Sequence, residues 1–151
     1  SIGDDFSIKD EQGREVMYLD GKAMSFGKKL LVIDQAKKQV AIIKQQLGAI
    51  NPTYRILRDG RPPIVIKKHR FTLRTKFTID VPGPNDYEVI GDFLGHEYTF
   101  IKDRQNVARV SKKFISGTDS YTVDINGGGA VQTILCSVAI IDLVLYSKRK
   151  S

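Results

Sequence analysis

The sequence predicts a mainly β protein, with about ten strands that close into a barrel or a sandwich and one buried helix near the C-terminus. Three observations predict this fold. Segments with apolar residues at roughly every second position recur along the chain, short turn-forming stretches separate them, and one apolar run near the end is too long for an ordinary strand. Together these features favour an all-β architecture whose interior is filled by a helix.

One pattern occurs four times and predicts a series of β-hairpins. Each copy has two alternating segments on either side of a polar turn that carries Asp, Gly or Asn, and the copies often end in lysine. The copies cover residues 6–18, 30–44, 54–68 and 98–113. Asp, Asn and Gly suit hairpin turns because they tolerate positive φ angles or form side-chain turns. Four copies therefore indicate one meandering sheet rather than four domains.

The stretches between these copies supply the remaining strands. Residues 69–80 alternate as one continuous strand, which places Arg70, Arg74 and Lys76 on the same face. A loop is predicted at residues 81–86, and short strands are predicted at residues 87–93 and 120–125. A break rich in glycine follows at residues 127–129.

The segment 131–145 is the exception to the β pattern. At about 100° per residue its apolar side chains point in almost every direction, and a helix without a polar face is buried or lies in lipid. A buried strand is the alternative, because Val and Ile are abundant, but the length favours a helix. Residues 134–145 would span only about 18 Å, short of the ~30 Å of a bilayer core. We therefore expect a helix inside the barrel.

The composition indicates one cytoplasmic globular domain. The chain has 151 residues, of which 41% are hydrophobic, so that a single domain over 1–151 is expected, with strands within 6–125, the helix at about 131–145 and a basic tail at 147–151. The single cysteine, Cys136, excludes an internal disulfide, and the N-terminus shows no signal-peptide pattern. A net charge of +7 favours anionic partners such as lipid phosphates, nucleic acid or acidic proteins.

The chain resembles the LURP-one-related family, which belongs to the tubby C-terminal-like superfamily together with the phospholipid scramblases. It is most similar to the short single-domain bacterial members. The matching segments are residues 6–13, 21–30, 87–93, 107–113 and 119–123, followed by the apolar helix with Ile140, Ile141 and Asp142.

The resemblance implies a closed antiparallel barrel of about twelve strands, threaded by the hydrophobic C-terminal helix. Family members usually carry one further strand before the segment that matches Phe6, so a truncated or processed start is expected to leave one barrel edge exposed. Tubby proteins bind phosphoinositides through basic residues on the barrel. Their ligating residues have no matching local motif here, and the resemblance therefore implies a basic patch rather than a defined pocket.

No constellation of residues predicts catalysis. His69 and His96 are not at metal-ligand spacing with another His or Cys, so both are interpreted as surface or turn residues. Cys136 lies in the apolar helix, where a small inert side chain is favoured over a nucleophile. Asp142 in the same helix is expected to find a hydrogen-bond donor and anchor the helix end. We expect no enzymatic activity, no cofactor and no metal.

The basic clusters are the candidate functional residues. The predicted anion- or lipid-binding patch consists of Lys67, Lys68, Arg70, Arg74, Lys76, Lys112 and Lys113. A solvated charged face is the alternative interpretation of these residues. The favoured function is a non-enzymatic module that binds an anionic phospholipid or phosphoinositide surface, peripheral to the membrane rather than spanning it. The alternatives are a structural or protein-interaction domain and a nucleic-acid-binding regulator, the latter less favoured without Trp or a recognition helix.

Overall fold

A computed structural model describes residues 5–24, 27–69, 74–115 and 118–146. Within these ranges the chain forms eleven β-strands followed by one α-helix. The elements are β1 (Phe6–Lys9), β2 (Glu15–Met24), β3 (Gly27–Asp34), β4 (Gln39–Gln45), β5 (Thr53–Leu57), β6 (Ile64–His69), β7 (Lys76–Asp80), β8 (Tyr87–Asp92), β9 (Glu97–Lys102), β10 (Gln105–Ile115), β11 (Thr118–Ile125) and α1 (Val131–Leu145). The mainly β fold and the C-terminal helix are confirmed; the predicted basic tail at 147–151 lies outside the described residues.

All eleven strands belong to one antiparallel sheet in which each strand pairs with the next along the chain. The predicted hairpin meander is therefore confirmed. The sheet order begins at β1 and ends at β11, and these two strands do not pair with each other within the described ranges. The sheet has eleven strands where about twelve were expected, and the closure into a barrel is not seen in its hydrogen bonding.

The prediction of one continuous strand over 69–80 is wrong. β6 ends at His69, β7 begins at Lys76, and these two residues lie directly opposite each other on neighbouring antiparallel strands. The inward residues are even-numbered on β6, as Ile64 and Ile66 are, and odd-numbered on β7, as Phe77 and Ile79 are, so the alternation changes phase between the two strands. The prediction extended the phase of β7 back to residue 69 and therefore missed this change.

The helix lies at the centre of the hydrophobic core. Every residue from 133 to 141 is buried, and a run longer than two helical turns covers all directions around the helix axis. The core cluster combines this helix with the inward side chains of strands β2 to β10, such as Leu19, Val32 and Phe77, which are fully buried. The alternative of a buried strand is wrong, because this segment forms an α-helix of 15 residues, longer than a strand of ordinary length.

The glycine break before the helix permits close packing. An added Cβ at Gly129 would lie 2.6 Å from Cδ1 of Ile134, so a side chain at this position would force the side chain of Ile134 to move. The backbone N–H of Ala130 donates to the hydroxyl of Tyr87, at 2.9 Å. Because Tyr87 is the first residue of β8, this bond fixes where the helix enters the sheet.

Alternating strand directions divide the connections between two ends of the sheet. The turns after β2, β4, β6, β8 and β10 share the end at which α1 finishes, since Tyr146 there donates to the backbone carbonyl of Phe93 in the β8–β9 turn. We call this the upper end. The remaining turns share the lower end, at which α1 starts beside Tyr87.

The reactivity of the Cys136 thiol tests whether α1 is packed in the core. Burial raises the pKa of its thiol to about 12, and the side chain is fully buried in α1. The thiol therefore stays protonated and unreactive at neutral and mildly alkaline pH in the folded protein. We expect labelling by a chromogenic disulfide reagent at pH 8 to be at least about 100-fold slower than in the denatured chain. Rapid labelling of the folded protein would contradict the burial of this face of α1.

Candidate anion-binding surface

Four basic residues form a continuous row across the outer face of strands β2 to β5. Lys22 lies directly opposite Lys29, Lys29 opposite Lys44, and Lys44 opposite Arg55. On β6, Lys67 lies opposite Thr53, diagonally next to Arg55. We call these five residues the basic row.

The register alone places the row on the outside. In each strand at least one neighbour of the row member along the chain is buried, as Ile43 is beside Lys44 and Ile56 beside Arg55. Lys22, Lys44, Arg55 and Lys67 are exposed, and Lys29 is half-buried. The row is accordingly a surface feature close to the upper end of the sheet.

The cations of the row have little compensation within the protein. Lys22 Nζ lies 2.9 Å from a carboxylate oxygen of Asp20. Lys29, Lys44, Arg55 and Lys67 make no ion pair with any residue in the described parts of the chain. Neighbouring strands are about 4.8 Å apart, and like charges placed directly opposite each other destabilise a sheet. Such an arrangement favours an external anion, which would relieve the repulsion.

Aliphatic side chains lie beside the row. Two residues toward the lower end on each strand, Leu31 is opposite Ile42, and Ile42 is opposite Leu57. All three are half-buried on the outer face. The alkyl stems of lysine and arginine pack on surfaces of this kind while their charged ends reach solvent.

Exposed apolar residues lie beyond the row at the upper end. The β4–β5 connection, residues 46–52, carries Leu47 with 54% exposure and Ile50 with 90% exposure. The connection is held at both ends, because Gln46 N–H donates to the carbonyl of Thr53 at 2.8 Å, and Lys68 N–H donates to the carbonyl of Pro52 at 3.0 Å. We call residues 46–52 the apolar loop.

The structure places the residues of the predicted patch at different positions on the sheet. Lys67 belongs to the basic row, whereas Lys68 is half-buried at a position in phase with the inward residues Ile64 and Ile66. Arg70 lies outside the described residues. Arg74 is exposed in the connection before β7.

The other predicted residues have different surroundings. Lys76 is half-buried on β7, and its Nζ lies 2.5 Å from a carboxylate oxygen of Glu88 on β8. Lys112 lies on β10, which is separated from β6 by three strands. The backbone of Lys113 pairs with Ser120, and its side chain lies outside the described part of the structure. Among the predicted residues whose side chains the structure describes, Lys67 belongs to the basic row, and Lys76 lies diagonally next to it on the same outer face, where it is paired with Glu88.

Sequence reasoning missed Lys22, Lys29, Lys44 and Arg55. They are dispersed over 34 positions of the chain, and only Lys29 has a basic neighbour in the sequence, Lys28. A signal was present, since lysines recur at strand exits in the hairpin repeats. Counting outward from each turn would have aligned Lys29 with Lys44, but the pairing of one hairpin with the next depends on the full sheet register.

Asp142 has the structural role that the sequence predicts. Its Oδ1 accepts a hydrogen bond from the Tyr121 hydroxyl at 2.6 Å, and its backbone carbonyl accepts the N–H of Tyr146. Burial, and then the bond to this carboxylate, raise the pKa of Tyr121 above its usual value. This contact fastens the end of α1 to β11.

The two histidines also make contacts within the fold. His69 Nε2 lies 2.7 Å from the Thr78 hydroxyl, across the β6–β7 pair. His96 is in the β8–β9 turn, as predicted, with a φ of 59°, and its ring centroid lies 3.9 Å from that of Tyr146. Among the described residues no group of three or more His, Cys, Asp or Glu side chains is placed to hold a metal ion.

Comparison with known proteins identifies the family. The model of the family described as LURP-one-related matches residues 1–142. The chain belongs to the LURP-one-related family. The resemblance seen in the sequence is thereby confirmed. The chain is also similar to the uncharacterized protein YxjI of Bacillus subtilis (strain 168), with 31% identity over 148 residues, which cover 97% of this chain and 89% of YxjI. No solved structure matches the chain.

Membership of this family does not specify an activity, so the function is inferred from the basic row and the apolar loop. In the described part of this LURP-one-related chain, no helix combines the length and the apolar character needed to cross a membrane.

Proposed function

We propose that this LURP-one-related protein is a binding module, not an enzyme, that docks peripherally on membranes with anionic lipid headgroups, on the cytoplasmic side. The observation that carries the proposal is the basic row, in which Lys22, Lys29, Lys44 and Arg55 face one another across four neighbouring strands. Phosphate groups are its natural ligands, because each lysine or arginine near an anionic membrane surface contributes about 1 kcal/mol of attraction. The four members without an ion pair among the described residues would provide salt-sensitive adhesion of about 4 kcal/mol.

The apolar loop favours a membrane over other polyanions. Leu47 and Ile50 project from the same end of the sheet as the basic row, and Leu94 in the β8–β9 turn, at 95% exposure, projects from that end as well. Exposed aliphatic tips next to cations match the membrane interface, where apolar groups enter the acyl boundary while basic groups meet phosphates. Nucleic acid is less favoured, because single strands are bound by stacking on aromatic side chains, and the large exposed apolar residues in the described part of the chain are aliphatic.

Vesicle co-sedimentation tests the proposal. Vesicles of pure phosphatidylcholine are compared with vesicles that contain phosphatidylserine or a phosphoinositide, each at low and at high salt. We expect binding only to the acidic vesicles, and binding that weakens as salt rises because the charges are exposed. Equal binding to neutral and acidic vesicles would refute the proposal. Tight binding to a DNA duplex without binding to acidic vesicles would also refute it and would support the nucleic-acid alternative.

The apolar loop should contribute a part of the affinity for acidic vesicles that high salt does not remove. Replacing Leu47 and Ile50 together by serine is expected to weaken binding to acidic vesicles about tenfold, at low and at high salt alike, because partial burial of two aliphatic side chains contributes about 1.4 kcal/mol. Val131→Ser is the control, since Val131 is 56% exposed at the lower end. If the control and the double variant lost affinity equally, the upper end would not be the docking face.

A further inference from the structure

The outer face of strands β3 to β6 combines cationic and aliphatic side chains. Next to Lys29, Lys44, Arg55 and Lys67 of the basic row lie five outward aliphatic residues, which we call the aliphatic strip: Leu31, Ile33, Ile42, Leu57 and Val65. The four strands contain no glutamate, and their one aspartate, Asp34, accepts N–H groups in the β3–β4 turn. This face is therefore both apolar and positively charged.

The aliphatic strip does not belong to the core. Its members alternate along their strands with fully buried residues such as Val32, Ile43 and Ile66, so they point to the other side of the sheet. All five are half-buried, and within the described parts of the chain none of them belongs to the core cluster or packs against it. A contiguous apolar surface outside the core is typical of an interaction site.

The outer face of the neighbouring strands is different. On β7, β8 and β9 the outward aliphatic residues are Ile90 and Ile101. Four exposed acidic residues occupy outward positions of the same three strands, namely Asp80, Glu88, Asp92 and Glu97. The combination of aliphatic and basic side chains is thus a property of β3 to β6 and not of the outer sheet in general.

The pairing of these strands determines which secondary structure can dock on them. Each of β3 to β6 is paired on both sides within the sheet. An extended segment laid on this face would find no backbone partners for its own N–H and C=O groups. A helix forms its hydrogen bonds internally and packs on a sheet through side chains alone. The face therefore fits a helix better than a strand.

The spacing across the strands also fits a helix. Leu31 lies opposite Ile42, and Ile42 opposite Leu57, so these side chains follow one another at the strand spacing of about 4.8 Å. Apolar residues on one face of a helix recur about every turn, which is ~5.4 Å. The basic row runs parallel to this line, two residues or about 6.6 Å toward the upper end. A helix lying across the strands would contact the strip with one face and the row with one flank.

The charge of the face indicates the charge of the partner. Lys29, Lys44, Arg55 and Lys67 have no ion pair among the described residues. A second copy of the chain would add positive charge, because each copy carries +7. Complementary charge lowers the cost of association and steers encounter, so an acidic partner is favoured.

We propose that the aliphatic strip and the basic row together bind an amphipathic helix of another protein, which has aliphatic residues on its inner face and carboxylates along one flank. This inference goes beyond membrane docking, because the strip lies on the side of the row away from the upper end and the interaction requires no lipid. The helix and a membrane would compete for the cations of the row.

Two peptides with the same C-terminal fluorophore test the proposal on the whole chain. The probe is acetyl-Leu-Glu-Ala-Gln-Leu-Glu-Ala-Leu-Glu-Ala-Gln-Leu-Glu-Ala, whose glutamates form one flank of the leucine face. The control, acetyl-Leu-Ala-Glu-Gln-Leu-Ala-Glu-Leu-Ala-Glu-Gln-Leu-Ala-Glu, keeps the composition, charge and leucine positions but moves the glutamates to the opposite face. We expect the probe to bind about tenfold more tightly in fluorescence anisotropy, a difference of about 1.4 kcal/mol. Its helical circular dichroism should increase on binding, because an isolated peptide of this length is marginally helical in water.

Matched protein variants test the strip. Ile42→Ser should weaken binding of the probe about fivefold, because the apolar contact of one partly buried isoleucine is lost. Ile90→Ser makes the same change at an outward position of β8, where the exposed fraction is 42%, and should leave binding unchanged. Thermal unfolding verifies that both variants are folded.

A charge variant tests the row. Lys29→Gln with Lys44→Gln should weaken binding of the probe about fivefold, as expected for a few exposed charge contacts. The same variant should have less effect on the control peptide, whose glutamates point away from the face.

Four results would overturn the proposal. They are failure of both peptides to bind at millimolar concentration, equal affinity for the two peptides, equal losses from Ile42→Ser and Ile90→Ser, and binding without a gain in helical signal. Self-association of the chain in sedimentation velocity that Ile42→Ser abolishes would assign the strip to a second copy instead. These measurements contain no vesicles, so failure of the membrane proposal would leave the peptide result unchanged, and failure of peptide binding would leave the vesicle result unchanged.

Discussion

Reversing three charges of the basic row, as Lys29→Glu, Lys44→Glu and Arg55→Glu together, is expected to reduce binding to phosphatidylserine vesicles by at least about 100-fold. Each cation contributes about 1 kcal/mol near an anionic surface, and 1.4 kcal/mol corresponds to a factor of ten in affinity. Loss of three attractions already accounts for about 3 kcal/mol, and the introduced carboxylates add repulsion. Because the three residues lie opposite one another, the effect should depend on all of them acting on the same patch.

A matched variant shows whether position or total charge matters. Lys38→Glu, Arg61→Glu and Arg104→Glu change the net charge by the same amount, but these exposed residues lie in turns at the lower end. This control is expected to retain most of the binding. Similar losses in the two triple variants would mean that general electrostatic attraction, not the basic row, governs adhesion. Thermal unfolding of both variants verifies that each remains folded.

Ile140→Ala is expected to lower the free energy of unfolding by about 2–5 kcal/mol. Ile140 is completely buried in α1, within the cluster that combines the helix with the inward faces of the strands. Truncation removes the transfer free energy of the lost methylene and methyl groups, and it leaves a cavity that a helix surrounded by sheet cannot easily collapse. Chemical denaturation followed by circular dichroism measures the loss.

The exposed Ile50 provides the same chemical change without burial. Ile50 is 90% exposed in the apolar loop, so Ile50→Ala should change the free energy of unfolding by less than about 0.5 kcal/mol. A cost for Ile140→Ala close to that of Ile50→Ala would show that α1 does not fill the core. Vesicle binding should respond in the opposite order, since Ile50 belongs to the proposed docking face and Ile140 does not.

Much of the fold was predictable because local rules decided it. The hairpin pattern of residues 30–44 became β3 and β4 around a turn in which the Asp34 carboxylate accepts the N–H groups of Ala36 and Lys38. The apolar run in the C-terminal segment became α1 because no orientation of it offers a polar face. The error at 69–80 occurred because the alternation of β7 was extended back to residue 69, although the core-facing positions change from even-numbered on β6 to odd-numbered on β7.

The candidate site was much less predictable. Clusters along the chain suggested Lys68, Lys76 and Lys112, but one is in phase with the core residues, one is paired with Glu88, and one lies three strands away from β6. A pair of adjacent residues in a strand points to opposite faces, so Lys67 and Lys68 cannot both belong to one surface. Charge density along the sequence is therefore a poor guide to charge density on a sheet.

The mainly β class, the hairpin order, the buried helix and the family follow from the amino-acid sequence, because each depends on periodicity, turn chemistry or an ordered set of local segments. Two features emerge only in the folded chain: Lys22, Lys29, Lys44 and Arg55 lie side by side, and among the described residues β1 and β11 flank a cleft over α1. Both features depend on register and on sheet closure. Those are set by pairing between strands distant in the chain, where one residue of shift exchanges the inner and outer faces.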